Sequence, residues 1–150
     1  MVLDGTRGNG GRGKNSVIHP RECVASSPMY KYQSLEAWKR AHAGAVMVLR
    51  VTDRAFDSRY RGLFDQIRRA AVSVEANIVE GYALGTPKQF NRHLRIALGS
   101  AAEAETLTRL AGVIGYLPEA KVAEIENLCG DTMRALQGLI RRPLPSRIFN

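Results

Sequence analysis

Cysteine and histidine are scarce in this chain of 150 residues, which contains two cysteines and three histidines. Cys23 and Cys129 stand far apart, so they match neither a disulfide framework nor a metal-binding motif, and this usage is typical of a reducing cytoplasm. No glutamate is followed by a histidine three positions later, which excludes the ligand pattern of di-iron helical bundles. The sequence therefore predicts a cytoplasmic protein with no metal and no other cofactor.

Catalytic and membrane-spanning patterns are missing as well. The chain has no P-loop, no Cys-x-x-Cys motif and no serine–histidine–aspartate arrangement. Ribonucleolytic bundles of the HEPN type need an arginine between one and two helical turns before a histidine, and neither His42 nor His93 has one there. No apolar run approaches the roughly 18 residues of a membrane helix, and the N-terminus lacks the apolar centre of a signal peptide. We expect a protein that is not an enzyme and has no membrane partner.

Acidic residues are few relative to basic ones, with 14 Asp and Glu against 22 Lys and Arg, for a net charge of +8. Of the basic residues, 17 are arginines, whose planar guanidinium groups suit phosphate and carboxylate. This balance favours a polyanionic partner such as RNA or DNA. A solvated basic surface with intramolecular ion pairs accounts for it equally well, so composition alone leaves both interpretations open.

The segment 1–33 differs from the rest of the chain, because it lacks apolar periodicity and has five glycines in its first 13 residues. Such a segment cannot bury enough apolar surface to offset the entropy of ordering, so we predict a disordered Gly/Arg-rich leader. It is either a nucleic-acid-binding arm or a stretch upstream of a natural start at Met29. The folded domain is then expected over 34–142, followed by a short tail at 143–150.

Four segments have apolar residues spaced by three and four, and none has the alternation of a strand. The predicted helices begin at the caps Ser34 and Thr86 and near Gly62 and Pro118, and they end near Phe56, before Gly81 and Gly115, and before Pro143. The predicted core stripes are Leu35, Trp38, His42, Ala45, Leu49, Thr52 and Phe56; Leu63, Ile67, Ala70, Val74 and Asn77, with Ala71 and Ile78 beside them; Phe90, Leu94, Ala97, Ala101, Ala104, Thr108 and Ala111; and Val122, Ile125, Cys129, Thr132, Leu136 and Leu139. Because the loops are short, successive helices must be antiparallel. The fold class predicted is all-α, an antiparallel up-down-up-down four-helix bundle.

This topology brings the starts of the first and third helices and the ends of the second and fourth to one end of the bundle, here called the upper end. Lys88, Arg92 and Arg95 recur at spacings of four and three on one side of the third helix. A stripe of this kind can follow a phosphate backbone, although an ordinary solvated face has the same pattern. The predicted nucleic-acid-binding residues are Lys39, Arg40, Lys88, Arg92, Arg95, Arg141 and Arg142.

The polar residues of the second helix have structural interpretations. Asn77 falls on the apolar stripe, where a buried amide fixes register. Arg69 is expected to form an ion pair with Glu103 or Glu105 of the third helix, and Glu80 to lie beside the exposed amides at that helix's start. The predicted polar network consists of Arg69, Asn77, Glu80, Glu103 and Glu105.

Two features predict self-association. Residues 99–104 place small side chains on nearly every side of the helix, which permits another helix to approach closely. The first helix has Val46, Met47 and Val51 outside its main stripe, and extra apolar surface of this kind is typical of an interface. We expect a homo-oligomer.

Five motifs carry a family resemblance: Leu35-Glu-Ala-Trp38, Gln66-Ile-Arg-Arg-Ala-Ala-Val-Ser-Val, Asn77-Ile-Val-Glu-Gly81, Ile96-Ala-Leu-Gly-Ser-Ala-Ala-Glu103 and Gly115-Tyr-Leu117. Together they resemble the bacterial four helix bundle protein family, encoded in intervening sequences of large-subunit ribosomal RNA genes. The resemblance implies up-down bundles that assemble into rings, often pentamers. It extends to the accessory variability protein of diversity-generating retroelements, which associates with reverse transcriptase and nucleic acid. The chain departs from the family in having Phe56-Asp57 at the first loop and a long glycine-rich leader.

Two classes of function follow from the residues and the resemblance. The first is a homo-oligomeric bundle that associates with RNA or another nucleic acid. The second is a protein-interaction scaffold that docks a partner enzyme such as a retroelement reverse transcriptase. A gene placed within a ribosomal RNA gene would favour the first class, and a neighbouring reverse-transcriptase gene the second.

Overall fold

The computed structural model describes residues 31–55 and 57–145. Most of the predicted leader, Phe56 and residues 146–150 lie outside this part, so the predictions made for them stay predictions. The helices, numbered in chain order, are Glu36–Arg54 as α1, Arg61–Ala83 as α2, Pro87–Val113 as α3 and Glu119–Arg141 as α4. Short 3-10 turns at Lys31–Ser34 and Ser58–Tyr60 precede α1 and α2.

The four helices form an antiparallel bundle in which each helix packs against two neighbours in the order α1, α2, α3, α4 and back to α1. Asn91 near the start of α3 donates to the carbonyl of Ile140 near the end of α4 at 3.4 Å. At the lower end, Arg109 donates to Glu126 at 2.7 Å, which joins the end of α3 to the early turns of α4. Within the described ranges there is no strand, and no helix is long and apolar enough to cross a bilayer. The predicted all-α four-helix bundle is confirmed.

Two predicted helix boundaries are wrong. Ser34 belongs to the preceding 3-10 turn, and Leu35, with an extended backbone, stands before α1 instead. Gly81 does not end α2, because it is helical and buried, and the chain turns only at Gly85, whose φ of +71° suits glycine. The predicted cap at Thr86 is confirmed by a 3.3 Å hydrogen bond from the Gln89 amide to its hydroxyl.

The predicted core residues of α3 are all confirmed, whereas the buried face of α1 is rotated relative to the predicted one. Every residue of the α3 stripe is buried, and so is every residue of the α4 stripe except Leu139. In α1, Leu49 is 42% exposed and the Trp38 side chain is half-buried. The inner face of α1 is instead lined by small and β-branched residues, namely Ala37, Ala41, Gly44, Ala45, Val48, Val51 and Thr52. In α2, Leu63 and Asn77 are half-buried, Phe64 occupies the core instead, and the predicted Ala71 and Ile78 are buried.

Small side chains also fill the centre of the bundle. They leave a void of about 10 Å³ that is bordered by residues such as Gly44, Ala71, Ala101 and Cys129. The walls of this space are almost entirely apolar, so a water molecule there would lack the hydrogen-bond partners that order it. Burial raises the pKa of the Cys129 thiol to about 11, so the thiol stays protonated and weakly nucleophilic near neutral pH.

Two buried threonines, one in α1 and one in the diagonally opposite α3, give a matched test of the core. The Thr52 hydroxyl donates to the Val48 carbonyl at 2.8 Å and accepts from Arg68 Nε at 2.8 Å. The Thr108 hydroxyl is buried without a hydrogen-bond partner in the described part of the chain. Thr108→Val should therefore raise the free energy of unfolding by about 1 kcal/mol, because it removes an unsatisfied hydroxyl.

The same exchange at Thr52 should lower the free energy of unfolding by about 1–3 kcal/mol, because it leaves Arg68 Nε without its acceptor. Urea denaturation of both variants measures the difference. A loss of stability in Thr108→Val equal to that in Thr52→Val would contradict this account.

Candidate nucleic-acid interface

The predicted basic stripe lies on the outward face of α3. Lys88, Arg92 and Arg95 are all exposed. Within the described residues, Lys88 and Arg92 form no ion pair, and Arg95 Nε donates only to the neutral Asn91 side chain, at 3.1 Å. Three positive charges therefore stand on one helix face without an acidic counterpart.

Two further cations lie at the same end. Arg141 and Arg142 are exposed at the end of α4, next to the start of α3 where Asn91 bonds to Ile140. No acidic partner contacts either arginine in the described part of the chain. We name these five cations the basic end: Lys88, Arg92, Arg95, Arg141 and Arg142.

The other two predicted nucleic-acid contacts have local partners. Lys39 Nζ lies 2.9 Å from Glu36, and its hydrogen bond lowers the pKa of that carboxyl group. Arg40 lies 3.2 Å from Asp131 of α4 and 3.8 Å from Glu36. Because these carboxylates offset their charge, Lys39 and Arg40 attract a polyanion less than the basic end does. The sequence around Arg40 does not indicate Asp131 as its partner, because the two residues meet only when α4 packs against α1.

At the lower end, three exposed arginines are held by carboxylates, whereas Arg50 and Arg54 have no ion pair with the described residues. The ion pairs are Arg59–Asp57 at 2.8 Å, Arg61–Asp65 at 3.6 Å, and Arg109 with Glu126 at 2.7 Å and Glu105 at 3.2 Å. The hydrogen bond to Glu126 also raises the pKa of Arg109. Positive charge that can meet an external anion is thus more concentrated at the upper end.

A polar seam joins α2 to α3, and we define it by three contacts between side chains. Gln66 Nε2 donates to Glu103 at 2.5 Å, and the Ser73 and Ser100 hydroxyls lie 3.0 Å apart. Asn77 Oδ1 lies 3.1 Å from His93 Nδ1, and Asn77 Nδ2 donates to the Ser73 carbonyl at 2.8 Å. Asn77 thus bonds across the seam with its oxygen and to its own helix with its nitrogen, as a residue that fixes register would.

Two predicted partners in this network are wrong. Arg69 donates to Gln66 Oε1 at 2.6 Å and reaches Glu103 only through that amide, so no direct ion pair forms. Glu105 points to Arg109 instead, because residues two apart on a helix face different neighbours.

The partner predicted for Glu80, the exposed amides at the start of α3, is wrong. Its carboxylate lies 3.8 Å from His93 Nδ1, while the Thr86 hydroxyl caps the α3 amides.

The two histidines of the bundle both have partners. His42, predicted on the core stripe, is instead on the surface with its side chain 52% exposed, stacked on Trp38 at 5.2 Å between ring centroids. Its Nδ1 lies 3.1 Å from Glu75. In the ranges that the structure covers, no group of three or more His, Cys, Asp or Glu side chains is arranged to hold a metal ion.

Comparison with known proteins shows the family. The model of the 23S rRNA-intervening sequence protein family matches residues 33–138, more than half of the chain. A crystal structure of a protein of unknown function from the S23 ribosomal protein family of Bacteroides thetaiotaomicron has a similar fold, with a TM-score of 0.62 and 23% identity over 70% of this chain and 98% of that one. No curated protein matches the sequence. The chain therefore belongs to the 23S rRNA-intervening sequence protein family.

Proposed function

We propose that this protein is a non-enzymatic, self-associating bundle that binds RNA through its basic end. The observation that carries the proposal is the set of five exposed cations without acidic partners in the described residues. Lys and Arg side chains on a helix face contact backbone phosphates and release counterions, which gives affinity without sequence readout. Membership in a family named for intervening sequences of 23S rRNA supports RNA as the polyanion.

The test is RNA affinity as a function of salt concentration. A fluorescent single-stranded RNA is titrated with the parent and with the triple variant Lys88→Ala, Arg92→Ala, Arg95→Ala between about 50 and 200 mM salt. If each side chain neutralises one phosphate, the slope of log K against log salt becomes shallower by about 2. Affinity at the lowest salt should fall by at least about tenfold.

The matched control is the triple variant Arg59→Ala, Arg61→Ala, Arg109→Ala. It removes the same net charge from exposed side chains at the lower end, all of which are ion-paired. We expect the slope of this control to stay close to that of the parent. Equal losses in both triple variants would show that net charge alone governs binding, and equal affinities in all three proteins would reject RNA binding by the basic end.

We propose self-association through the rest of the outward face of α3. Beyond the cations, this face has Ile96, Leu110 and Val113, which are 42%, 47% and 81% exposed. Between them, Gly99 is exposed in the helix interior, and a Cβ atom there would meet nothing within 4 Å. A glycine at such a site costs about 1 kcal/mol relative to alanine, and packing within the subunit does not explain it. A second copy that approaches the backbone closely would explain it.

The predicted contribution of α1 to this interface is corrected in part. Val51 is only 8% exposed and belongs to the core, while Val46 and Met47 are half-buried. A closed ring, including the pentamer that the family resemblance implies, needs a head-to-tail contact between different faces and is part of the proposal.

The alternative function is a scaffold that docks a partner enzyme such as a retroelement reverse transcriptase. The observation that favours it is the same exposed apolar stripe of α3, because exposed apolar patches are typical of protein interfaces. Discovery of a reverse-transcriptase gene beside this one would support the alternative, and co-purification of the two expressed proteins would test it.

A further inference from the structure

A groove of about 510 Å³ runs between the second half of α1 and the start of α4, at the lower end. Its lining includes the apolar side chains of Met47, Val51, Ala55 and Pro118. Val51 is part of the core, and Met47 and Ala55 pack against the same core cluster. The floor of the groove is therefore a rigid apolar surface continuous with the packed interior.

Positive side chains flank this floor. Arg50 and Arg54 line the groove and are exposed, and neither forms a hydrogen bond or an ion pair with the described residues. They are four residues apart on α1, an arrangement in which like charges repel by a few tenths of a kcal/mol. Lys121 completes the lining, but its Nζ is held by Glu124 at 2.7 Å. Two guanidinium groups thus remain for an external anion.

The start of α4 borders the groove, and its first turn contains one acidic residue, Glu119. Pro118 precedes the helix and supplies no side-chain cap to its first amides. The N-terminus of a 23-residue helix attracts negative charge, and here it opens beside Arg50 and Arg54. The groove therefore combines an apolar floor with a rim that selects carboxylates.

We propose that this groove binds an acidic amphipathic helix of a partner protein. The partner's apolar side chains would cover Met47, Val51 and Ala55, and its carboxylates would pair with Arg50 and Arg54 in the bidentate geometry that guanidinium favours. Arginine and methionine are enriched at protein interfaces, and arginine is frequent among their hot spots. RNA phosphates would satisfy the two arginines but would leave the apolar floor uncovered. The groove lies at the opposite end from the basic end, so this proposal does not depend on RNA binding.

Three synthetic helical peptides test the proposal by fluorescence anisotropy. The first has leucines at helix-face spacing with glutamates beside them, the second replaces each glutamate by lysine, and the third scrambles the first. We expect only the first to bind. The double variant Arg50→Gln, Arg54→Gln should weaken its binding by at least about tenfold. The double variant Arg59→Gln, Arg61→Gln removes the same charge from the same end and should leave binding unchanged, because both arginines serve internal ion pairs.

Other outcomes would overturn the proposal. Equal binding of the glutamate and lysine peptides would mean that the groove does not select carboxylates. Binding of the glutamate peptide that is unaffected by Arg50→Gln, Arg54→Gln would place its site elsewhere. If the double variant changes the sedimentation coefficient and no peptide binds, the groove holds a second copy of this chain. If it lowers the salt dependence of RNA binding and no peptide binds, the occupant is RNA.

Discussion

Gly81→Ala is expected to lower the free energy of unfolding by about 1–2 kcal/mol. A Cβ atom at Gly81 would lie 2.5 Å from the Cβ atom of His93, so α2 and α3 would have to separate. Overpacking of this kind costs about 1–3 kcal/mol, and here the clash involves an atom fixed to the backbone that cannot rotate away. Separation would also stretch the 3.1 Å contact between Asn77 and His93 in the polar seam. These losses exceed the gain of about 1 kcal/mol that alanine brings to a helix interior.

Gly138→Ala is the matched control for this prediction. Gly138 lies in α4, and a Cβ atom there would meet nothing within 4 Å. The control should be neutral or should raise the free energy of unfolding by up to about 1 kcal/mol. Chemical denaturation of both variants measures the difference. If the two substitutions shift stability in the same direction, the close contact at Gly81 is not what limits the approach of α2 and α3.

Gly99→Arg is expected to weaken self-association by about a hundredfold or more. The exposed position leaves the isolated subunit free to fold, because nothing lies within 4 Å of the added Cβ atom. In a close helix–helix contact, the arginine would force the backbones apart and bury an unpaired charge, which costs several kcal/mol. A hundredfold loss corresponds to about 2.8 kcal/mol.

Sedimentation velocity at micromolar protein concentrations would measure this effect. Gly138→Arg adds the same charge at another exposed helical glycine and should keep the assembly of the parent. A parent protein that sediments as a monomer would reject the proposed interface. So would a Gly99→Arg variant that assembles as the parent does.

The α3 core could be predicted from sequence because its inward face has Phe90, Leu94 and a regular series of alanines. The α1 core could not, because Ala37, Ala41 and Gly44 are inconspicuous beside Leu35 and Trp38. Close approach of the helices favours small residues on the inner face and leaves large ones to cover the edges. The largest apolar side chains therefore indicated the wrong side of α1.

The candidate site was predictable to the extent that it depends on a single helix. The spacing of Lys88, Arg92 and Arg95 is a local property of α3, and their exposure follows from the buried positions between them. Two other contacts depend on which helices meet and on how they are aligned along the bundle axis. These are the contact of Arg40 with Asp131 and the bridge that Gln66 forms between Arg69 and Glu103. The spacing of residues within one helix does not determine how neighbouring helices are aligned along that axis.

The tightly packed centre around Cys129 restricts substitutions in the interior of the bundle but not on its surface. With a void of only about 10 Å³, substitutions that enlarge an inward side chain meet immediate steric resistance. Outward positions such as Gly99, Arg50 and Arg92 experience no such constraint from the subunit itself. Substitutions at either end of the bundle can therefore change the exposed surface while the buried alanines stay the same.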